Sequence, residues 1–141
     1  MSEQNKRVIR RFLTEVCNKG NIALIDELFA CDWVGHAPRK EFNGPEELKL
    51  FVVAQRRAFP DLELIVEDQI AEGDKVTTRW TAHGTHLGEF QGILPTGGQF
   101  TMTGISIYRI ANGKFIEGWT STDLLIVLQQ LGAVPTPEKS G

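Results

Sequence analysis

The sequence holds only two cysteines, Cys17 and Cys31, in 141 residues. Two is too few for a disulfide scaffold, so the chain must rely on an apolar core, and a reduced environment is expected. Excess positive charge is also missing. The net charge is -3, with no basic run and no interleaving of aromatic and basic residues, which argues against a nucleic-acid partner. No apolar stretch is long enough to span a bilayer, and the polar start Met1–Arg10 has no signal-peptide core. A cytoplasmic protein without a membrane partner is the expectation. No tight His-x-x-x-His or Cys-x-x-Cys spacing occurs, so no metal site is expected. The glycines from Gly88 to Gly98 lack the strand, turn and helix order of a phosphate-binding loop, and read as a pliable rim.

What is present is ordinary globular material. Hydrophobic residues make up 41% and charged residues 23% of the chain, with eight Phe and three Trp. This suits one domain over residues 1–132, with a frayed tail over 133–141.

The first third has helical periodicity. Val8, Ile9, Phe12, Leu13, Val16 and Cys17 repeat at helical spacing until Lys19-Gly20-Asn21, and Ile22 to Phe29 gives a shorter helix. Asp32 to His36 reads as a brief extended piece. Gly44-Pro45-Glu46-Glu47 opens a third helix, with Pro in the first turn and acids near the positive dipole end, and Pro60 follows its last turn. From Leu62 the period drops to two. Strands are expected from Leu62, over Lys75–His83, Phe100–Ile110 and Lys114–Trp119, with Asn112-Gly113 as a hairpin signal. A closing helix runs from Asp123 to Leu131. Helices first and an antiparallel sheet after predict an α+β fold, a cone of helices on a curved, mostly antiparallel sheet. The third strand is apolar on both faces, with Phe100, Met102 and Tyr108 alternating with Ile105 and Ile107. Both faces then need cover, and a homodimer is the natural way to cover the second.

Three signals point to chemistry. In the run Trp119-Thr-Ser-Thr-Asp123, period two puts Phe115, Glu117, Trp119, Ser121 and Asp123 on one face. A carboxylate beside a Trp in an apolar cavity is desolvated and becomes a better base. The competing reading makes Asp123 a helix cap for Leu124 to Leu131. The second signal is the histidines, His36, His83 and His86, side chains suited to proton transfer. Either they serve a reaction or they are solvated loop residues and backbone partners. The third is Gln55, a polar residue in the apolar stripe of Leu48, Phe51, Val52 and Phe59, which either lines a cavity or satisfies a backbone group. A pocket for an apolar or aromatic small molecule is expected from Phe12, Val16, Trp33, His36, Phe51, Gln55, Trp80, Trp119 and Asp123.

An ordered set of short motifs runs through nearly the whole chain, from about Asn5 to Gly132. It comprises Phe59-Pro-Asp-Leu62, Glu72-Gly-Asp-Lys-Val76, Arg79-Trp80-Thr81, Gly84-Thr-His86-Leu-Gly-Glu-Phe90, Gly92-Ile-Leu-Pro-Thr-Gly97, Thr103-Gly-Ile105, Asn112-Gly-Lys114 and Trp119-x-x-x-Asp123. Together they resemble the SnoaL-like polyketide cyclases, often labelled ester cyclases. The resemblance implies the nuclear transport factor two-like fold, usually as a dimer. It implies intramolecular aldol closure of a polyketide ring, with no metal and no cofactor. The family's acid/base aspartate maps onto Asp123, its pocket histidine resembles His36, and its Gly-Thr-His resembles His86. The chain departs from the family pattern at Gly118, where a His is common, and at Gly35 and Ala37, where a second acid is common.

Two classes of function compete. One is an enzyme abstracting a proton beside a carbonyl, with an isomerase or dehydratase as variants. The isomerase pattern needs a Tyr and a protonated acid as oxyanion donors, and only Tyr108 is available. The other is a non-catalytic small-molecule binding module in which Asp123 is only a cap. The side chain of Asp123 discriminates them, according to whether it faces a pocket or bonds the amides of Leu125 and Ile126.

Overall fold

In a computed structural model, which describes residues 2–135, helix α1 (Ser2–Arg11) runs directly into a π-helical segment, Phe12–Asn18. A continuous α-helix was expected here. The wider turn ends at Asn18, whose side chain stands in for a strand partner. Its amide donates to the Leu64 carbonyl at 3.0 Å, and its carbonyl accepts the Leu64 N–H at 2.7 Å. The N-terminal helix is thereby stitched to the edge of the sheet, where unpaired backbone groups need partners.

Helix α2 (Leu24–Leu28) is shorter than its apolar run suggested, because Phe29 already begins strand β1 (Phe29–Ala37). A turn at Pro38-Arg39 leads to β2 (Lys40–Asn43), a short edge strand that the periodicity did not announce. Helix α3 (Pro45–Ala58) starts with Pro45 and carries Glu46 and Glu47 in its first turn. Strands β3 (Glu63–Glu72), β4 (Lys75–Thr85), β5 (Gln99–Ala111) and β6 (Lys114–Thr122) follow, then helix α4 (Leu124–Gln130). At Asn112-Gly113 both residues have positive φ, 52° and 75°, as a two-residue hairpin turn demands. Ala133 at the start of the expected tail donates its N–H to the Leu128 carbonyl. Positions 136–141 of that tail lie outside the described residues.

The six strands form one curved, open sheet in the order β2-β1-β6-β5-β4-β3. All neighbours are antiparallel except β1 and β6, which run parallel. The helices cover one face. On it Val76, Thr78, Trp80 and Ala82 of β4 and Phe100, Ser106, Tyr108 and Ile110 of β5 are buried. The core has two parts. One gathers Ile9, Phe12, Val16, Ile25, Phe29, Trp33 and Phe115, with Phe29 and Phe115 stacked 4.4 Å apart and Phe12 edge-on to both. The other gathers Phe59, Trp80, Phe90, Phe100, Val127 and Leu131. Full burial of one such side chain contributes roughly 1.5–3 kcal/mol. The outer face carries Ile105 and Ile107, which are 49% and 38% exposed.

The shared face expected for Phe115 and Glu117 does not form. Ile110 pairs with Phe115, whereas Arg109 pairs with Glu117, so β6 holds one extra residue at Ile116. This bulge reverses the facing of the strand. Phe115 points into the core, and Glu117 and Trp119 lie on the outer face with Ile107.

Candidate active site

The bulge also decides which residues of β6 face the helix-covered side of the sheet. Beyond it, Gly118, Thr120 and Thr122 face inward, opposite Tyr108, Ser106 and Gly104. Three inner-face groups form a hydrogen-bond chain. The Trp80 indole N–H donates to Ser106 Oγ at 3.0 Å, and Ser106 Oγ lies 2.9 Å from Thr120 Oγ1. Ser106 is buried, while Thr120 is half-buried. Gly104 makes this arrangement possible, because a Cβ there would overlap the Trp80 indole. Tyr108, on the same face, has its phenol pushed up to about 12 by burial, with the Ser106 hydroxyl pulling the other way. It is therefore a neutral donor. Cys17 is likewise pushed up to about 12, by burial against the pull of Arg56, and is unreactive.

Half-buried Met102, Thr120, Thr122, Leu124 and Leu128 follow this strip toward α4. They mark where the helical cover thins. Asp123 stands at the junction of β6 and α4. Its Oδ1 accepts the Ile126 N–H at 3.1 Å, so it caps α4, and its side chain is exposed. Its Oδ2 makes no hydrogen bond among the described residues.

The sheet divides the other residues expected in the pocket. Phe12, Val16 and Trp33 are buried in the larger core cluster. Trp80 lies on the inner face in the smaller cluster. Phe51 sits on α3, 39% exposed and edge-on to Phe42, and Gln55 on the same helix is half-buried. His36 and Trp119 lie on the outer face, paired in register and stacked at 5.6 Å. A single cavity lined by all of them is therefore absent, because alternate strand residues face opposite ways. Two surface depressions of about 360 and 230 Å³ hold none of the residues expected to line the pocket, and of the three histidines only His83 borders one, the smaller. The larger adjoins Arg56, whose guanidinium is occupied by the carbonyls of Cys17, Pro60 and Leu62.

His86 is fully buried in the loop between β4 and β5. The Thr96 backbone N–H donates to its Nδ1 at 3.2 Å, with the Thr96 hydroxyl at 3.0 Å. Nδ1 is thus an acceptor, and the ring proton sits on Nε2. That Nε2 is buried with no partner among the described residues. His36 is in the opposite condition. Its Nδ1 is 2.9 Å from Glu41 Oε1, and its Nε2 is 2.8 Å from Glu117 Oε2. Only the imidazolium can donate to both, and its pKa is raised, first by the Glu117 hydrogen bond and then by Glu41. Arg109 extends this network to Glu117 and Asp74, and the cations of Arg109 and Lys75 lie over the Trp119 ring. His83 is exposed, 3.8 Å from Glu63.

Ser106 and Thr120 were not singled out from sequence. The available signal was a lone Ser in an apolar strand, at 1% exposure one of the few buried polar residues.

Among known proteins, the family model described as SnoaL-like polyketide cyclase matches residues 7–131. The aklanonic acid methyl ester cyclase DnrD of Streptomyces peucetius is 29% identical over 138 residues, covering 93% of this chain and 93% of DnrD. The crystal structure of AclR from Streptomyces galilaeus, described as a hydroxylase, has a TM-score of 0.87 at 29% identity, covering 99% of this chain and 87% of AclR. Wild-type IdmH from Streptomyces antibioticus, described as a polyketide cyclase, has a TM-score of 0.81 at 33% identity, covering 92% of this chain and 99% of IdmH.

Proposed function

The chain belongs to the SnoaL-like polyketide cyclase family, and we propose on that premise that it closes a ring in a polyketide-like carbonyl substrate by cofactor-free acid/base chemistry of the aldol type. Asp123 is the base in this reading. One observation carries it. A single bond from Oδ1 to the Ile126 amide orients the carboxylate, and Oδ2 stays open three residues beyond the polar strip at Thr120. Oδ2 removes a proton from a carbon between two carbonyls. The resulting enolate spreads its charge over those carbonyls and attacks a second carbonyl of the same molecule, forming a carbon–carbon bond and an alkoxide. The alkoxide then takes back the proton that Asp123 removed, so the carboxylate is regenerated, and the Nε2–H of His86 is the proposed hydrogen-bond donor within the site. Trp80, Phe51 and Gln55 supply the lining on the helix-covered side, and Phe12, Val16 and Trp33 form the packed wall behind it. His36 and Trp119 are assigned to the outer face instead. There, with Ile105 and Ile107, they form the surface through which two copies pair. Specific interfaces of that kind bury on the order of 1,200–2,000 Å² in total.

The cap bond of Asp123 favours a second reading, a non-catalytic binding module in which Asp123 only starts α4. AclR shares the fold under the description of a hydroxylase, so the fold does not choose the reaction. Proton exchange at the activated carbon of a 1,3-dicarbonyl, followed by NMR, separates the readings. Loss of a general base costs about 10²–10⁴-fold, so folded Asp123→Asn should exchange the probe that much more slowly. Exchange at the wild-type rate removes Asp123 from the chemistry and leaves the binding module standing.

A further inference from the structure

We propose that Thr120 is the carbonyl-binding donor of this site, its hydroxyl forming the open end of the chain that starts at the Trp80 indole. The indole N–H can only donate. Ser106 Oγ accepts it at 3.0 Å and lies 2.9 Å from Thr120 Oγ1, a pair in which either hydroxyl can donate, and the proposal assigns the shared proton to Ser106. The proton of Thr120 is then free for a ligand. Hydrogen bonds in such a chain polarise one another, so the last donor is stronger than an isolated hydroxyl.

The placement of the chain points the same way. Ser106 and Thr120 are register partners, so both face the helix-covered side. Ser106 is 1% exposed and Trp80 6%, yet Thr120 is half-open. The Thr120 side chain faces the inner side, while its neighbours Trp119 and Ser121 face the outer. Apolar Met102, Leu124 and Leu128 border the smaller core cluster along the same strip. A polar tip in an apolar frame takes an aromatic or polyketide ketone, the frame holding the rings and the tip holding one carbonyl oxygen. The proposal rests on the cyclase reading, because the oxygen so held is one on which charge develops during ring closure. Its test does not depend on turnover.

The probes are acetylnaphthalene and ethylnaphthalene, which differ only by a carbonyl in place of a methylene. Binding of each is titrated by fluorescence with the wild-type protein, Thr120→Val and Thr120→Ser. Valine keeps the shape and the β-branch and removes the hydroxyl, while serine keeps the hydroxyl. A net hydrogen bond of ordinary strength corresponds to about 2–10-fold in affinity. Thr120→Val should weaken acetylnaphthalene by that factor and leave ethylnaphthalene unchanged, and Thr120→Ser should keep the wild-type preference. Equal weakening of both probes, no change in either, or no binding of either by the wild-type protein overturns the proposal. Asp123→Asn is the control for the base. If it binds both probes normally while losing proton exchange, the carbonyl site stands. If it binds them normally and exchanges at the wild-type rate, the base assignment fails and the carbonyl site still stands.

Discussion

Phe115 and Glu117 lie two positions apart on one strand and point to opposite faces of the sheet. The extra residue between them, Ile116, turns Phe115 into the core against Phe29 and sends Glu117 out to His36. It also sorts the rest of β6, with Trp119 outside and Thr120 inside. Which side chains of β6 join the inner face and which the outer depends on this one bulge.

Asp123→Ala should cost roughly 0.5–2 kcal/mol of stability in urea denaturation, because the Ile126 amide loses its cap. Asp123→Asn should cost little, since Asn caps nearly as well. A full-sized loss in both variants would show that the carboxylate does something other than cap.

Gly104→Ala should be destabilising by about 1–3 kcal/mol, the usual range for overpacking. The new methyl overlaps the Trp80 indole, which must move and release Ser106. Denaturation gives the magnitude, and near-ultraviolet circular dichroism should show the indole displaced. An unchanged tryptophan signal would mean that Trp80 does not lie on Gly104.

His36 should make stability fall with rising pH. Its folded-state pKa is raised by Glu117 and Glu41. The protonated ring's contribution is therefore full below the unfolded value of about 6.5 and is lost as pH rises through the higher folded value. The side chain is 31% exposed, so the effect should stay within about 1 kcal/mol. Thermal melts from pH 6 to 9 should slope more steeply for the wild-type protein than for His36→Gln. Parallel slopes would rule out the double bond to the two glutamates.

Ile107→Lys should convert a dimer to a monomer in sedimentation experiments, if the outer face pairs two copies. Ile107 is already 38% exposed and neighbours Trp119, so the single chain should tolerate the lysine. A wild-type protein that sediments as a monomer at micromolar concentration would refute the pairing.

Much of this was readable along the chain. The two periods, near four and then two, announced helices followed by a sheet, and Asn112-Gly113 announced the last hairpin. Those are local signals, carried by the backbone preferences of neighbouring residues. The cap at Asp123 was readable for the same reason, since it spans only three residues. The inner polar chain was not, because Trp80 and Ser106 are 26 positions apart and meet only through the register of β4 on β5. Nor was the face of Trp119. A strand's alternation predicts facing only while the count between partners is even, and one unpaired residue at Ile116 inverts it. Sequence by itself determined the order of the main helices and strands, though not β2 or the π-helical turn at Phe12–Asn18. Which side chains share a cavity was decided by cross-strand register, a property of pairs of strands that no single stretch contains.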